Sequence, residues 1–195
     1  MPVALGYAKG ADPAALALAD WSCFARTGLK GAQAVAWLAR QGVPVPLQPN
    51  HWEPLPAGGL IGRIATSEFF LEDAGAGTTA TSVAIALGTG SQGVYPVLRK
   101  DAALVLSGRG ALDVFAQTCN VNFGAVDPAS NELVMTSMVG VPVLVIRQRL
   151  NGGTPLFRIW CDPTLGPYLW RTLLEIVEEA GGGPVGLSGL GLARP

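Results

Sequence analysis

The sequence predicts an α+β fold built from two related halves that share a core, and three observations support this prediction. Residues 29–40 (LKGAQAVAWLAR) align with residues 106–117 (LSGRGALDVFAQ), which places Gly31 over Gly108. Each copy has the pattern of a strand, a glycine turn and a helix, as expected of an internal repeat, although a chance match is the alternative. β-rich runs follow both copies. The last third adds the strand TPLFRIWC and an amphipathic helix at Pro167–Ala180.

The first half contains an arm, a helix and a pair of strands. Residues 1–20 are predicted to form an arm that leads into a short helical piece, which Asp12 could cap. The helix after Gly31 is expected to end at Gly42, where glycine can adopt the left-handed conformation. Residues 60–71 have the pattern of two short strands. The stretch 74–93 is rich in Ala, Gly, Thr and Ser, and its pattern does not decide between helix and strand.

The second half shows clearer periodicity. A strand is predicted at Ala102–Leu106, and two β-rich runs between Glu132 and Leu150 are hinged at Gly140. In the helix Pro167–Ala180 one apolar stripe has helical spacing. Its members are Leu169, Leu173, Ile176, Val177 and Ala180. Thr164 or Asp162 could cap this helix, Gly181–Gly183 would end it, and Glu175, Glu178 and Glu179 would form a solvated face.

The composition indicates a chain that is covered by partners. The 195 residues carry a formal net charge of -1, which gives no electrostatic reason to expect binding to nucleic acid or to an anionic membrane. Only 14% of the residues are charged, against about 25% in an average soluble domain. A surface so poor in charge is either weakly soluble or covered by partners. Because obligate interfaces are depleted in charge, the deficit favours a subunit of a larger complex.

Several kinds of catalytic site are made improbable by the residue types. Cys23, Cys119 and Cys161 lie far apart in sequence, and His51 is the single histidine. Zinc binding and a His-activated nucleophile are therefore not expected, and the metal prediction is none. The cysteines are interpreted as small buried residues in a reducing environment, which predicts a cytoplasmic protein. No stretch reaches the roughly 20 apolar residues that would span a bilayer.

The order of several motifs resembles a known family. The segments are L-x-G-x-x-A before a helix, Gly58-Gly59-x-Ile61, VPVLVIR at 141–147, FRIWC followed by YLW, and GGGPVGL at 181–187. This pattern is similar to the folate-binding domain of the glycine-cleavage T protein, an aminomethyltransferase. It is closer still to the γ subunit of heterotetrameric sarcosine oxidase.

The resemblance implies a fold of two ferredoxin-like halves, without the C-terminal barrel that completes the larger relatives. The implied organisation is an N-terminal arm at 1–20 and one domain at 21–195, with halves at roughly 21–95 and 96–195.

The catalytic residues of the family cannot be carried over to this sequence. Active members resemble GG-x-x-D-D at the strand that follows Gly58-Gly59, where this chain has Leu60-Ile61-Gly62-Arg63. The family's folate-contacting glutamate is expected at the position of Arg158, and an arginine has only hydrogen-bond donors. The catalytic prediction is therefore none. Arg63, Arg147 and Arg158 are the candidates for cofactor binding. Arg63, Arg147 and Arg149 could form a basic cluster, and the alternative is a set of separate strand-edge arginines.

The function implied by the resemblance is that of a non-catalytic γ subunit. Its partners would be the α, β and δ subunits of an oxidase that demethylates sarcosine or a similar N-methyl amine. The complex would use FAD, FMN, NAD and tetrahydrofolate, with no cofactor on this chain. Trp160, Tyr168 and Trp170 are predicted as core or interface residues.

Two alternatives to this function remain open. The first is a stand-alone tetrahydrofolate-binding aminomethyltransferase-like protein. The second is an assembly factor from the iron–sulfur repair branch of the fold, although that branch's K-G-C-Y-x-G-Q-like motif is not found in this sequence. The isolated chain is also predicted to be capable of forming a homo-oligomer.

Overall fold

The computed structural model describes residues 10–150 and 152–190, and predictions for residues 1–9 lie outside them. The strands are β1 (Ala17–Asp20), β2 (Arg26–Lys30), β3 (His51–Pro54), β4 (Leu60–Ala65), β5 (Glu68–Glu72), β6 (Tyr95–Val97), β7 (Ala102–Ser107), β8 (Leu133–Met138), β9 (Val141–Arg149), β10 (Pro155–Cys161) and β11 (Gly183–Pro184). The helices are α1 (Ala34–Arg40), α2 (Thr79–Gly88), α3 (Ala111–Thr118) and α4 (Gly166–Glu179), and a 3-10 turn follows at Leu187–Leu190.

The chain divides into two compact units. Residues 24–100 form one, which we call the inserted unit, and residues 10–23, 101–150 and 152–190 form the other, the flanking unit. The sequence placed the division near residue 95 and treated residues 1–20 as an arm. In the structure β1 pairs with β7 and β11, so residues 10–20 belong to the flanking unit.

The helical piece predicted near Asp12 is a single turn. Asp12 caps it as predicted, since its Oδ1 accepts the Ala14 N–H at 2.9 Å and its carbonyl accepts the Leu16 N–H at 3.1 Å, and a strand follows. Alanine and leucine favour helices in isolation, but cross-strand pairing with β7 overrides this weak preference.

The inserted unit has a ferredoxin-like arrangement with one extra strand. Its sheet has the order β3-β4-β5-β2-β6, and β2-α1-β4-β5-α2-β6 is the βαββαβ unit. Both helices pack on one face of the sheet. The core between them contains Leu29, Ala34, Leu38, Ile61, Phe69, Leu71, Val83 and Leu87.

The flanking unit repeats this arrangement with one strand supplied from the N-terminal segment. Its sheet has the order β11-β1-β7-β10-β9-β8, so β1 occupies the position that β6 has in the inserted unit. A second core lies between this sheet and α3 and α4, and Phe115, Phe123 and Phe157 pack at its centre with ring centroids 4.5–5.8 Å apart. The predicted fold class, two ferredoxin-like halves, is confirmed.

The glycine turns show that the internal repeat is structural. Gly31 and Gly108 both have positive φ, at 136° and 109°. A Cβ at Gly31 would collide with the Gly93 carbonyl oxygen, and one at Gly108 would collide with that of Ala15. The Gln33 N–H donates to the Gly93 carbonyl and the Gly110 N–H donates to the Ala15 carbonyl, both at 3.1 Å. These contacts make Gly93 and the strand β6 equivalent to Ala15 and the strand β1.

The helix ends follow the sequence in part. Gly42 and Gly181 end α1 and α4 in the left-handed conformation, as predicted. The start of α4 differs from the prediction, because no side chain caps the helix. The Asp162 carboxylate instead accepts the Thr164 N–H within the preceding turn. The undecided stretch 74–93 contains α2, whose first N–H groups donate to the Asp73 carboxylate at 2.7 and 3.0 Å.

The predicted hinge at Gly140 is a two-residue hairpin turn between β8 and β9. Both turn residues have positive φ, 44° at Val139 and 83° at Gly140. Such turns favour Asn-Gly, whereas a β-branched residue at positive φ is strained. We expect Val139→Asn to raise the free energy of unfolding by about 1 kcal/mol. Urea titration measures this, with the equally branched Val139→Thr as the unchanged control, and a lower midpoint for Val139→Asn would contradict it.

Candidate functional site

Arg158 on β10 is the most buried of the predicted cofactor-binding residues. Its guanidinium carbon lies 5.3 Å from the ring centroid of Trp21 and 5.2 Å from that of Trp160, within cation–π range. Both tryptophans belong to the same unit as Arg158. The sequence expected this position to replace a folate-contacting carboxylate, and the structure places a cation there, stacked on two indole rings.

Arg63 and Arg147 hold loops in place. Arg63 donates to the carbonyls of Pro46 and Leu47 at 3.0 and 2.7 Å, and to that of Thr66 at 2.7 Å. Arg147 donates to the Phe123 carbonyl at 2.8 Å. These donors are used on the chain's own backbone, which supports the interpretation of separate structural arginines.

The two loop-binding arginines are themselves equivalent in the repeat. Arg63 on β4 pairs with Phe69 on β5, and Arg147 on β9 pairs with Phe157 on β10. Each guanidinium lies over that phenylalanine ring, at 5.6 and 5.8 Å from the centroid. Each loop so held follows the first helix of its unit. The duplicated contact indicates a role in the fold and gives no support to a shared cofactor site.

Two buried carboxylates were missed by the sequence analysis. Glu72 at the end of β5 forms a salt bridge with Arg26, its partner in β2, and both side chains are buried. Asp73 accepts hydrogen bonds from the backbone N–H groups of Ala80 and Thr81, and from the Thr81 hydroxyl at 2.8 Å. The signal for Asp73 was its place before an ambiguous helix. Nothing local in the sequence pairs Arg26 with Glu72.

The three aromatic residues predicted as core or contact residues have different environments. Trp160 is 2% exposed, so it takes the core role and presents no surface to a partner. Trp170 is half-buried against the flanking core. Tyr168 is 47% exposed on α4, and its hydroxyl donates to the Val139 carbonyl at 3.4 Å. Of the three, Tyr168 is therefore the residue most available for an intermolecular contact.

A small cleft in the inserted unit contains no ionisable side chain. Its volume is about 210 Å³, and it lies between the end of α1 and the start of α2. The polar groups that line it are the side chains of Gln41, Thr78, Thr79 and Ser82. Neutral amides and hydroxyls cannot act as general acids or bases near neutral pH. In residues 10–150 and 152–190 no group of three or more His, Cys, Asp or Glu side chains could hold a metal ion.

Cys161 on β10 has a strongly shifted ionisation. Burial raises the pKa of its thiol from 9.0 to about 11, and the carboxylates of Asp101 and Asp162 add to the effect. The unfolded chain would lose this proton near pH 9, whereas the folded chain keeps it to about pH 11. Stability should therefore be unaffected by this group below pH 9 and should fall as the pH rises from 9 towards 11.

This pH dependence is measurable with one variant. Cys161→Ala should reduce the loss of stability between pH 9 and pH 11, whatever its effect at neutral pH. Urea titrations at both pH values, with the exposed Cys23→Ala variant as control, test the assignment. The same loss in Cys161→Ala and in wild type would contradict it.

Solved structures with this arrangement provide the comparison. A chain of the heterotetrameric sarcosine oxidase from Corynebacterium sp. U-96 matches with a TM-score of 0.68 at 18% identity, over 87% of each chain. Aminomethyltransferase T of the glycine cleavage system from Bartonella henselae matches with a TM-score of 0.70 at 17% identity. The chain has the fold of these two proteins. The predicted resemblance is confirmed at this level.

The extent of the two matches differs. The match to the aminomethyltransferase covers 91% of this chain but 49% of that protein, so this chain spans about half its length. No barrel occurs within the ranges that the structure describes, in agreement with the predicted fold. No family model and no curated protein matches the sequence. Among the described helices, none has the length and apolarity needed to cross a membrane.

Proposed function

We propose that the chain is a non-catalytic, γ-type subunit of a heterotetrameric sarcosine oxidase-type complex. The complex would oxidatively demethylate sarcosine or a similar N-methyl amine and transfer the one-carbon unit to tetrahydrofolate. The α, β and δ subunits would carry FAD, FMN, NAD and the folate, and this chain would carry no cofactor.

The extent of the oxidase match carries this proposal. The alignment covers the same 87% share of both chains, so the matching chain of that heterotetramer is about as long as this one. The match to the aminomethyltransferase covers half of a longer protein. A small separate subunit is therefore a better counterpart than the folate-binding part of a large enzyme.

The environments of the ionisable side chains support a non-catalytic role. The position expected to hold a catalytic carboxylate has Leu60, Ile61, Gly62 and Arg63, and Arg63 is bound to backbone carbonyls. The position expected to hold a folate-contacting glutamate has Arg158, stacked on two indoles. Low overall charge fits a chain that is covered by partners.

A stand-alone tetrahydrofolate-binding protein is the second candidate, because Glu72 and Asp73 are buried carboxylates. A pterin site needs a carboxylate that can accept the pterin N–H groups. Asp73 already accepts three hydrogen bonds at the start of α2, and Glu72 is paired with Arg26. The arrangement of both groups therefore favours structural roles.

Two measurements separate these functions. The purified chain alone should neither oxidise sarcosine nor bind tetrahydrofolate in a calorimetric titration. The same chain, tagged and purified from its source cells, should bring with it flavin-bearing chains that oxidise sarcosine. Micromolar folate binding by the isolated chain would favour the second candidate, and turnover by the isolated chain would contradict a non-catalytic role.

A further inference from the structure

The internal repeat reveals a difference at one edge of the two sheets. In the flanking unit β1 is not an edge strand, because β11 pairs with it in parallel through Ala17↔Gly183 and Leu18↔Pro184. The Val185 N–H then donates to the Leu18 carbonyl at 2.9 Å. In the inserted unit the equivalent strand β6 pairs only with β2 among the described residues.

The exposure of the two strands reflects this difference. Residues Ala17, Leu18 and Ala19 of β1 are completely buried. On and after β6, Tyr95 is 60% exposed and Leu98 is 79% exposed. Edge strands with exposed apolar side chains are templates for pairing with another chain. The position that β11 fills in one unit is therefore open in the other.

The helix beside this edge shows the same contrast. Helix α4 contacts β1 and β11, and its equivalent α2 contacts β6. The outer face of α4 carries Arg171, Glu175, Glu178 and Glu179. The outer face of α2 carries Thr81, Ser82, Ala84 and Ile85, and Ile85 is 70% exposed. We call the surface formed by β6 and the outer face of α2 the β6–α2 surface.

The β6 and α2 residues themselves carry no charge, and the nearest charge across the ladder is the exposed Lys30, which pairs with Tyr95. Residues 74–98, which contain both elements, include no Asp, Glu, Lys, Arg or His. The segment that covers the equivalent edge in the flanking unit, residues 180–190, is also free of charge and buries Val185, Leu187 and Leu190. The chemistry that fits the β6–α2 surface is therefore an extended, uncharged, apolar peptide segment.

We propose that the β6–α2 surface binds an extended apolar segment of another subunit, in the way that β11 and the residues after it cover β1. This proposal rests on the proposed function and names the surface by which the chain would enter the complex. Among the described residues, the segment of this kind is 180–190, which already covers the edge of the flanking unit. We therefore assign the occupant to a different protein.

The position of Pro96 argues against pairing between two copies of this chain. Pro96 is equivalent to Leu18, so its carbonyl is directed away from β2 and can accept an N–H as the Leu18 carbonyl does. Proline has no N–H to offer in return, and its presence at an edge disfavours strand pairing between identical edges. A partner segment fits this edge if it donates one N–H to the Pro96 carbonyl and needs no N–H from Pro96 in return.

The test compares substitutions on this surface with one elsewhere. Ile85→Arg and Tyr95→Arg place a charge on the β6–α2 surface, and Met135→Arg is the control, since Met135 is 59% exposed on β8 of the flanking unit. Each tagged chain is purified from its source cells, and the co-purified flavin and sarcosine oxidation are measured. We expect wild type and the control to retain both the flavin and the activity. Each surface variant should co-purify with at least about tenfold less flavin and sarcosine oxidation.

Amide hydrogen exchange gives a readout that needs no variant. In the co-purified complex the amides of Val94, Tyr95, Val97 and Leu98 should exchange at least about tenfold more slowly than in the isolated chain. Unchanged exchange, or full retention of partners by both surface variants, would overturn the proposal and leave the proposed function standing. Failure of wild type to bring any flavin-bearing chain would overturn both. A homodimer of the isolated chain that Ile85→Arg dissociates would overturn the assignment to a different protein.

Discussion

Replacing Arg26 with methionine is expected to lower the free energy of unfolding by about 3–5 kcal/mol, because it leaves Glu72 buried without its cation. The Glu72 side chain is 0% exposed and that of Arg26 is 4% exposed. The ionised carboxylate would lose the charge that offsets its desolvation. Urea titration monitored by circular dichroism measures this change.

The double variant Arg26→Met/Glu72→Leu is the control for this prediction. Replacing both members of a buried ion pair with apolar side chains of similar volume is often neutral or stabilising. The double variant should therefore recover most of the stability that the single variant loses. A single variant within about 1 kcal/mol of wild type would show that the pair does not hold β2 to β5 as described.

Alanine at Gly31 or Gly108 is expected to destabilise the chain by about 2–4 kcal/mol. Each position combines a positive φ with a carbonyl oxygen where the new Cβ would lie. Backbone cannot move aside as a flexible side chain can, so β2 would shift from the Gly93 carbonyl, or β7 from that of Ala15. Thermal and urea unfolding both measure this loss.

Gly42→Ala is the matched control, because Gly42 has a φ of 71° and no atom within 4 Å of the added Cβ. It should lose only the conformational cost of about 1–2 kcal/mol. Losses at Gly31 and Gly108 no greater than that at Gly42 would contradict the close approach. Equal effects at Gly31 and Gly108 would agree with the repeat, since the two turns make the same contacts.

The features that the sequence predicted correctly depend on local chemistry. Gly31 and Gly108 could be aligned because a left-handed turn before a helix requires glycine, and the hairpin at Gly140 lies between two runs with strand patterns. Helix α4 was found from one apolar stripe. These features are set by residues within a few positions of one another.

The features that were missed depend on distant residues. Strand β1 is alanine-rich and becomes a strand through pairing with β7, more than eighty positions further along the chain. Helix α2 has an ambiguous sequence and is capped by Asp73, which precedes it by several residues. The Arg26–Glu72 pair joins positions 46 residues apart. No local pattern predicts such partners.

The sequence predicted the candidate site only by showing which of the family's functional residues are replaced in this chain. The sequence showed that arginine stands where the resemblance expects a carboxylate, at Arg158, and it kept Arg63 and Arg147 as weak cofactor candidates. It could not show that the Arg158 guanidinium lies within cation–π range of Trp21 and Trp160, or that Arg63 and Arg147 bind loop carbonyls. Those contacts depend on strand register, which the sequence does not define.

The central claim is that this chain functions as a small subunit of a multi-chain oxidase. Native mass spectrometry of the tagged chain, purified gently from its source cells, tests it most directly. We predict an assembly of four different chains that contains one copy of this chain and retains flavin. A spectrum of this chain alone, or only of its homo-oligomers, from a preparation whose lysate oxidises sarcosine would contradict the account.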